Sequence, residues 1–218
     1  MVSRRQSAPP PHPPTRLYLI TPPIADARDF AADLESALEA GEFAAVLLRF
    51  ASRQERDWRD GVAILGPPVQ ARGVALLLDG RPELAAGVGA DGAHLTGADA
   101  LDRGIGSLKP ERIAGVGGLK TRHDAMIAAE SGADYVMFGD PDEAGRRPPF
   151  PAILERVAWW AELFELPCVG CAASFEEIGP LAAAGADFVA VGELVWTGEV
   201  AAAVRTAGAA VGPAEALE

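Results

Sequence analysis

One short pattern recurs along the chain and divides it into similar units. It reads GADGAHL from Gly89, GADYVMFG from Gly132 and GADFVAVG from Gly185, with a looser copy, GEFAAVLLRF, from Gly41. Each copy follows an alanine-rich run and opens an apolar one. Glycine just past a helix supplies a left-handed residue that ends it, and an unbroken apolar run is typical of a strand buried on both faces. The pattern therefore predicts a repeated order of helix, glycine and parallel strand.

The copies lie roughly 50 residues apart, which leaves room for two βα units in each interval. Eight apolar runs fit this spacing as strands: 16–21, 44–49, 74–79, 92–95, 112–118, 135–139, 168–171 and 188–192. Helices are expected between them, with the one from Arg53 to Ala71 broken or ended near Pro67 and Pro68, and with 96–110 and 140–149 largely irregular. Eight such units favour a single (β/α)8 TIM barrel over an open sheet.

The barrel is expected to occupy residues 15–211. Before it, residues 1–14 read MVSRRQSAPPPHPP, whose prolines stand where a signal peptide would need an apolar segment. We expect this stretch to be a disordered Pro-rich extension, and 212–218 to be a C-terminal tail.

Composition narrows the classes of function. The chain has 218 residues, a net charge of −12 and a pI of about 4.7, which argues against binding nucleic acid or an anionic membrane surface. No apolar run reaches the ~18 residues of a membrane span.

The only cysteines are Cys168 and Cys171, as expected in the reducing cytoplasm. Their C-x-x-C spacing suits redox or zinc chemistry, but residues three apart on a strand face opposite sides and no second pair completes a zinc site. Core packing is therefore favoured.

Charged residues follow several predicted strands, at the barrel end where function is expected. They are Arg49, Asp79, Arg81, Asp99, Arg146 and Arg147. Guanidinium groups and carboxylates in one place would bind a phosphorylated ligand through magnesium. The plainer interpretation is that polar residues simply cap strands at a solvated rim.

Several segments, in order, resemble the thiamine phosphate synthase and TenI family: LYLIT from Leu17, VLLR from Val46 and the three GAD segments. The resemblance covers about Arg16 to Ala210 and implies a (β/α)8 barrel. It also implies one of two activities. The synthase joins hydroxymethylpyrimidine pyrophosphate to thiazole phosphate with magnesium, releasing pyrophosphate by a dissociative route. TenI members bind related thiazole compounds and isomerise one of them.

The resemblance implies two metal ligands, Asp79 and Asp99. The family's I-N-D-R stands here as Leu78, Asp79, Gly80 and Arg81, so Asp79 lies one position before the usual metal aspartate. Arg81 keeps the arginine, which the resemblance makes a substrate-binding residue. Asp99 matches the second metal carboxylate.

At the end of the second strand, the family's V-Q-L-R-x-K stands as VLLRFA. Arg49 keeps the arginine, which the resemblance makes a substrate-binding residue. Leu47 and Ala51 replace the glutamine and the lysine.

The other substrate-binding positions that the resemblance implies are Gly117, Arg147, Ala172, Ala173, Gly192 and Glu193. Gly117 stands in place of a serine, Arg147 in place of a lysine, and the two alanines in place of a phosphate-binding glycine pair. Glu193 stands where the family has a small serine. A carboxylate repels phosphate, and a lost glycine restricts close backbone approach to an anion. We therefore expect a partly eroded catalytic site.

Three interpretations remain open. The first is a divergent synthase with reduced or altered activity, acting on phosphorylated pyrimidine and thiazole compounds. The second is a TenI-like small-molecule-binding or regulatory barrel without transferase activity. The third is another phosphate-binding barrel, against which LYLIT and VLLR argue.

Two histidines and two tryptophans are expected to be structural. His94 falls in a predicted strand, where a hydrogen-bonded core histidine is commoner than a catalytic base, and His123 should lie on the surface at a helix start. Of Trp159 and Trp160, only one ring can face the core, which leaves the other available for a homo-oligomer interface.

Overall fold

The computed structural model describes residues 13–142 and 144–212. The strands are β1 Arg16–Ile24, β2 Phe43–Phe50, β3 Ala75–Asp79, β4 Gly92–Thr96, β5 Ile113–Gly117, β6 Tyr135–Phe138, β7 Cys168–Ala172 and β8 Phe188–Val191. The helices are α1 Ala27–Ala40, α2 Glu55–Gln70, α3 Pro82–Val88, α4 Ala98–Gly104, α5 Arg122–Glu130, α6 Phe150–Leu163, α7 Phe175–Ala183, α8 Glu193–Trp196 and α9 Val200–Val211. Nearly all of the N-terminal extension and of the tail lies outside the described residues, so both stay predictions.

The eight strands form a closed barrel in sequence order, and every pairing is parallel. Closure is made by β1 against β8, with Leu17 beside Val189 and Leu19 beside Val191. The expected single (β/α)8 TIM barrel is therefore confirmed.

Side chains alternate between two apolar regions along each strand. On β1, Leu17 and Leu19 face the helices, whereas Tyr18 and Ile20 face the barrel interior. The interior is filled by Tyr18, Ile20, Ala45, Leu47, Leu77, Tyr135, Met137, Val169 and Ala190. Burying each large side chain contributes about 1.5–3 kcal/mol, so both regions stabilise the barrel.

The aspartate of each GAD segment binds the backbone of the preceding strand. Its Oδ2 atom accepts a hydrogen bond from that strand's N–H, and its own N–H donates to the carbonyl of the same residue. The carboxylate bonds are Leu76 N–H to Asp91 at 2.7 Å, Ala114 N–H to Asp134 at 2.7 Å and Cys168 N–H to Asp187 at 2.8 Å. The return bonds measure 2.8, 2.8 and 3.1 Å. The repeated aspartate is thus a structural residue at the amino end of the barrel.

The glycines that begin the repeats do not all act alike. Gly89, Gly132 and Gly185 have φ values of 75°, 95° and 94°, the left-handed conformation expected. Gly41 has an extended φ of −160°, so that expectation is wrong there. A Cβ atom on Gly41 would lie 2.5 Å from Cγ1 of Val204, so this position needs glycine because α9 packs closely against it.

Helix boundaries depart from the prediction at three places. Helix α2 continues through Pro67 and Pro68 to Gln70, because both prolines lie near its end and the buried Leu65 and Val69 keep its apolar face packed. Segment 98–107 is mostly helical, as α4 and a turn of 3₁₀ helix. The short α8 was not expected at all.

The remaining structural expectations concern the two cysteines and the two neighbouring tryptophans. Both cysteines are free: Cys168 packs in the outer core, and Cys171 faces the interior. Trp160 is fully buried. Trp159 is half-buried, with the Arg122 guanidinium 4.7 Å from its ring centre. An interface between copies therefore stays a prediction.

None of the helices in the described ranges is long and apolar enough to cross a membrane.

We expect Asp187→Ala to lower the free energy of unfolding by about 1–3 kcal/mol, because the buried Cys168 N–H would lose its acceptor. Asp187→Asn keeps an acceptor oxygen and should lose less. Urea denaturation measures the free energy of unfolding of both variants. Asp33→Ala, at an exposed position of α1, is the control, and an equal effect of Asp187→Ala and Asp33→Ala would contradict the structural role.

Candidate functional site

The carboxyl ends of the strands surround a cavity of about 390 Å³. Its lining includes Arg49, Asp79, His94, Asp140, Arg147, Cys171, Ala172, Ala173, Gly192 and Glu193. Seven of these were expected from the sequence: Arg49, Asp79, Arg147, Ala172, Ala173, Gly192 and Glu193. Arg81, Asp99 and Gly117 do not line this cavity.

A chain of hydrogen-bonded side chains forms the floor. The Tyr18 and Tyr135 hydroxyl oxygens are 2.8 Å apart, and Nδ1 of His94 is 2.9 Å from the Tyr135 hydroxyl. Burial is the largest cause that raises the pKa of each phenol, so both stay protonated at neutral pH. The expectation of a hydrogen-bonded core histidine is confirmed, and His94 also reaches the cavity.

Asp140 follows β6 and was not singled out from the sequence. Its Oδ2 atom accepts a hydrogen bond of 2.8 Å from the Gly118 N–H and lies 3.7 Å from Nε2 of His94. A Cβ atom on Gly117 would lie 2.1 Å from the same oxygen. Gly117 therefore contributes space for Asp140. The available signal was a carboxylate directly after a strand end, in a loop already expected at the mouth.

Asp79 ends β3 and pairs in register with His94 on β4. Burial raises the pKa of the Asp79 carboxyl above its usual value, while His94 and then Arg49 oppose the rise. Asp99, the other expected metal ligand, lies exposed in the first turn of α4. The structure therefore does not bring the two carboxylates together in this cavity, and Asp140 is the second aspartate on its wall.

The two arginines of the cavity are held differently. Arg49 donates from Nε to the Thr21 carbonyl at 2.6 Å, and its backbone N–H donates to the Thr21 hydroxyl at 3.0 Å. Arg147 donates from Nε to the Gly139 carbonyl at 3.1 Å and from Nη2 to the Cys171 carbonyl at 3.0 Å. Arg147 thus ties the loop after β6 to the end of β7.

Glu177, in the first turn of α7, accepts hydrogen bonds from the two terminal nitrogens of the Arg147 guanidinium. Its carboxylate oxygens lie 3.3 and 2.6 Å from Nη1 and Nη2 of Arg147. The nearer oxygen also accepts a hydrogen bond of 2.7 Å from the Ala173 N–H. A carboxylate of the chain therefore occupies donors that the resemblance assigned to phosphate. Nothing in the sequence pattern singled out Glu177.

Arg81 lies outside the cavity. It donates to the Arg53 carbonyl at 2.5 Å, lies 3.4 Å from Glu83, and places its guanidinium 5.4 Å from the Trp58 ring centre. Its expected role in binding substrate therefore has no support in this geometry.

Helix α8 forms the wall after β8. The Trp196 indole N–H donates to the Ile20 carbonyl at 2.8 Å and fixes this helix over β1. Gly192 and Glu193 at its start line the cavity, and Glu193 is exposed at the rim. The added carboxylate is thus part of the cavity wall.

We expect the Arg147–Glu177 pair to contribute to stability, because both side chains are largely buried, at 25% and 15% exposed. Glu177→Ala should lower the free energy of unfolding by about 1–3 kcal/mol. Glu176→Ala, at an exposed position of the same turn, is the control. The double variant with Arg147→Ala should show coupling in urea denaturation, and strictly additive losses would contradict the pair.

Burial is the largest cause that raises the pKa of Cys168 and Cys171, each to about 12. The thiolate is the reactive form, and only on the order of 10⁻⁴ of each thiol would be ionised at pH 8. We therefore expect iodoacetamide to label neither cysteine quickly in the folded protein and both in concentrated urea, as counted by mass spectrometry. N-acetylcysteine in the same tube controls for reagent, and fast labelling of the folded chain would contradict the burial.

Comparison with known proteins agrees with this architecture. Residues 17–195 match the family model described as thiamine monophosphate synthase. A thiamine-phosphate synthase of Rhodospirillum centenum is 44% identical over 83% of this chain and 89% of its own length. One of Hyphomonas neptunium is 39% identical over 89% and 93%. The solved thiamine phosphate pyrophosphorylase of Pyrococcus furiosus shares the fold, with a TM-score of 0.73 and 22% identity over 90% of this chain and 95% of that one. The chain therefore belongs to the thiamine phosphate synthase and TenI family.

Proposed function

We propose that this protein joins hydroxymethylpyrimidine pyrophosphate to thiazole phosphate, releasing pyrophosphate, at a lower rate than a site with the full set of family donors. The main support is one cavity at the carboxyl ends of the strands that brings together Arg49, Asp79, His94, Asp140 and Arg147. Relatives named thiamine-phosphate synthase, one of them 44% identical, support the choice of reaction.

Arg49 is the residue that we propose binds the pyrophosphate. Its guanidinium lines the cavity, and its Nε atom is fixed by the Thr21 carbonyl. The remaining donors of a guanidinium suit phosphate oxygens. Holding the leaving group in place stabilises the charge that develops as the bond to it breaks.

Three positions support the proposal of a reduced rate. Leu47 replaces a family glutamine on the cavity wall. Arg147 is already paired with Glu177, and Glu193 adds negative charge at the rim. Removal of one donor from such a site typically costs about 3 kcal/mol of transition-state stabilisation. A partly eroded site is therefore part of the proposal.

Of the two expected magnesium ligands, only Asp79 lies on the cavity wall. Among the described residues, no group of three His, Cys, Asp or Glu side chains could hold a metal ion. Magnesium in phosphoryl sites is usually bound by one or two carboxylates together with substrate phosphates. The half-buried Asp79 on the cavity wall would therefore hold it, with Asp99 assigned by resemblance only. When bound, the ion would neutralise charge on the departing pyrophosphate.

A second candidate is a TenI-like barrel that binds a thiazole compound without transferring it. The specific observation in its favour is that the Glu177 carboxylate accepts hydrogen bonds from both the Arg147 guanidinium and the Ala173 N–H. A site whose anion donors are filled from within would bind a less charged ligand. Binding of the thiazole compound without product from both substrates would favour it.

We also propose a cytoplasmic location, supported by the two free cysteines.

The reaction can be tested with purified protein, both substrates and magnesium. We expect thiamine phosphate and pyrophosphate in equal amounts, and Arg49→Ala should lower kcat/KM by about 100-fold because a fixed phosphate donor is lost. Arg56→Ala, whose side chain is 86% exposed on α2, should act as wild type. Absence of product, together with failure to restore thiamine-independent growth to a synthase-deficient strain, would reject the transferase.

A further inference from the structure

We propose that Asp140 determines which nitrogen heterocycle the cavity accepts, by accepting a hydrogen bond from an amino group or a protonated ring nitrogen of the ligand. This inference rests on the proposed function only for its choice of a pyrimidine as the probe.

The backbone of two elements is built around the Asp140 carboxylate. Gly117 ends β5 without a side chain, and a Cβ atom there would lie 2.1 Å from Oδ2 and 2.9 Å from Oδ1 of Asp140. Real Cβ atoms do not approach other atoms so closely. The carboxylate therefore occupies the space of a side chain from β5, although it is carried by the loop after β6.

One oxygen of this carboxylate is held and the other is available. Oδ2 accepts from the Gly118 N–H at 2.8 Å, where Gly118 has a left-handed φ of 63°. In the part of the chain that the structure describes, no hydrogen bond involves Oδ1. A carboxylate can accept about four hydrogen bonds. The side chain is 11% exposed and lies on the cavity wall, so a ligand N–H can take the place of water at Oδ1.

The charge around Asp140 favours a donor over an anion. Asp79 lies on the same cavity wall, and each carboxylate disfavours negative charge near the other. The Arg147 guanidinium is engaged by Glu177. A phosphate is therefore directed toward Arg49, and the nitrogen-bearing ring toward Asp140.

This orientation discriminates between pyrimidines that differ at one group. A 4-amino group would donate to Oδ1 of Asp140. The 4-oxo group of the corresponding pyrimidinone would place a carbonyl oxygen against the carboxylate. A charged hydrogen bond gained in one case and lost in the other corresponds to about 10- to 100-fold in affinity.

The test measures binding of two uncharged probes by calorimetry: 4-amino-5-hydroxymethyl-2-methylpyrimidine and its 4-oxo analogue. The wild-type chain should bind the amino compound at least about tenfold more tightly. Asp140→Asn keeps the shape and an acceptor for Gly118, but its amide can turn an N–H₂ group toward the ligand. This variant should lose the preference, while binding of inorganic pyrophosphate with magnesium stays within about twofold.

Two further variants complete the design. Asp102→Asn removes a carboxylate at an exposed position of α4 and should behave as wild type. Gly117→Ala would displace the Asp140 carboxylate by contact and should also lower the amino preference. If Gly117→Ala fails to fold, Asp140→Asn still decides the question.

The inference is overturned by unchanged preference in Asp140→Asn, by undetectable binding of the amino compound to wild type at millimolar concentration, or by a selective loss of magnesium-dependent pyrophosphate binding. The last result would make Asp140 a metal ligand. The proposed transferase can fail separately. A wild-type chain that makes no thiamine phosphate but shows the Asp140-dependent preference rejects only the synthase, and product formation with unchanged KM for the pyrimidine in Asp140→Asn rejects only the inference.

Discussion

Three carboxylate-to-backbone hydrogen bonds at the amino ends of the strands hold the barrel in register. Asp91, Asp134 and Asp187 each precede an even-numbered strand and bind the N–H of a residue near the start of the strand before it. A register shift of one residue would exchange interior and exterior side chains along a strand. Because these bonds fix the amino ends, the loops at the carboxyl ends are free to differ without disturbing the fold.

The fold was predictable from the sequence because its signals are local. An apolar run between a glycine and a polar turn specifies a buried strand regardless of distant residues, and the GAD segments repeat that signal three times. The errors arise where distant packing decides. Helix α2 passes two prolines because its buried face continues, and α8 depends on the bond from Trp196 to the Ile20 carbonyl, far away in the sequence.

In the candidate site, too, the residues that were predicted are those whose position depends on local sequence. Residues at strand ends, such as Arg49, Asp79 and Glu193, were placed at the mouth because the end of a strand is a local property. Asp140 and Glu177 were missed because their positions depend on Gly117 and Arg147, on other elements. Arg81 was misplaced for a similar reason, since the Trp58 ring and the Arg53 carbonyl hold it away from the cavity.

Two substitutions that, taken singly, suggest a lost site are each accompanied by a second residue that fills the same space or uses the same donor. Gly117 lacks a side chain, but Asp140 fills its place. Ala173 replaces a glycine, but its N–H still binds an anionic group, the Glu177 carboxylate. The resulting cavity has two aspartate carboxylates and a fixed guanidinium on its wall. A dissociative reaction leaves the pyrimidine fragment cationic and the pyrophosphate anionic. Carboxylates beside the ring and Arg49 beside the phosphates would stabilise both charges as they separate. The proposed chemistry would thus depend on how the charges of the cavity are arranged as well as on the number of donors.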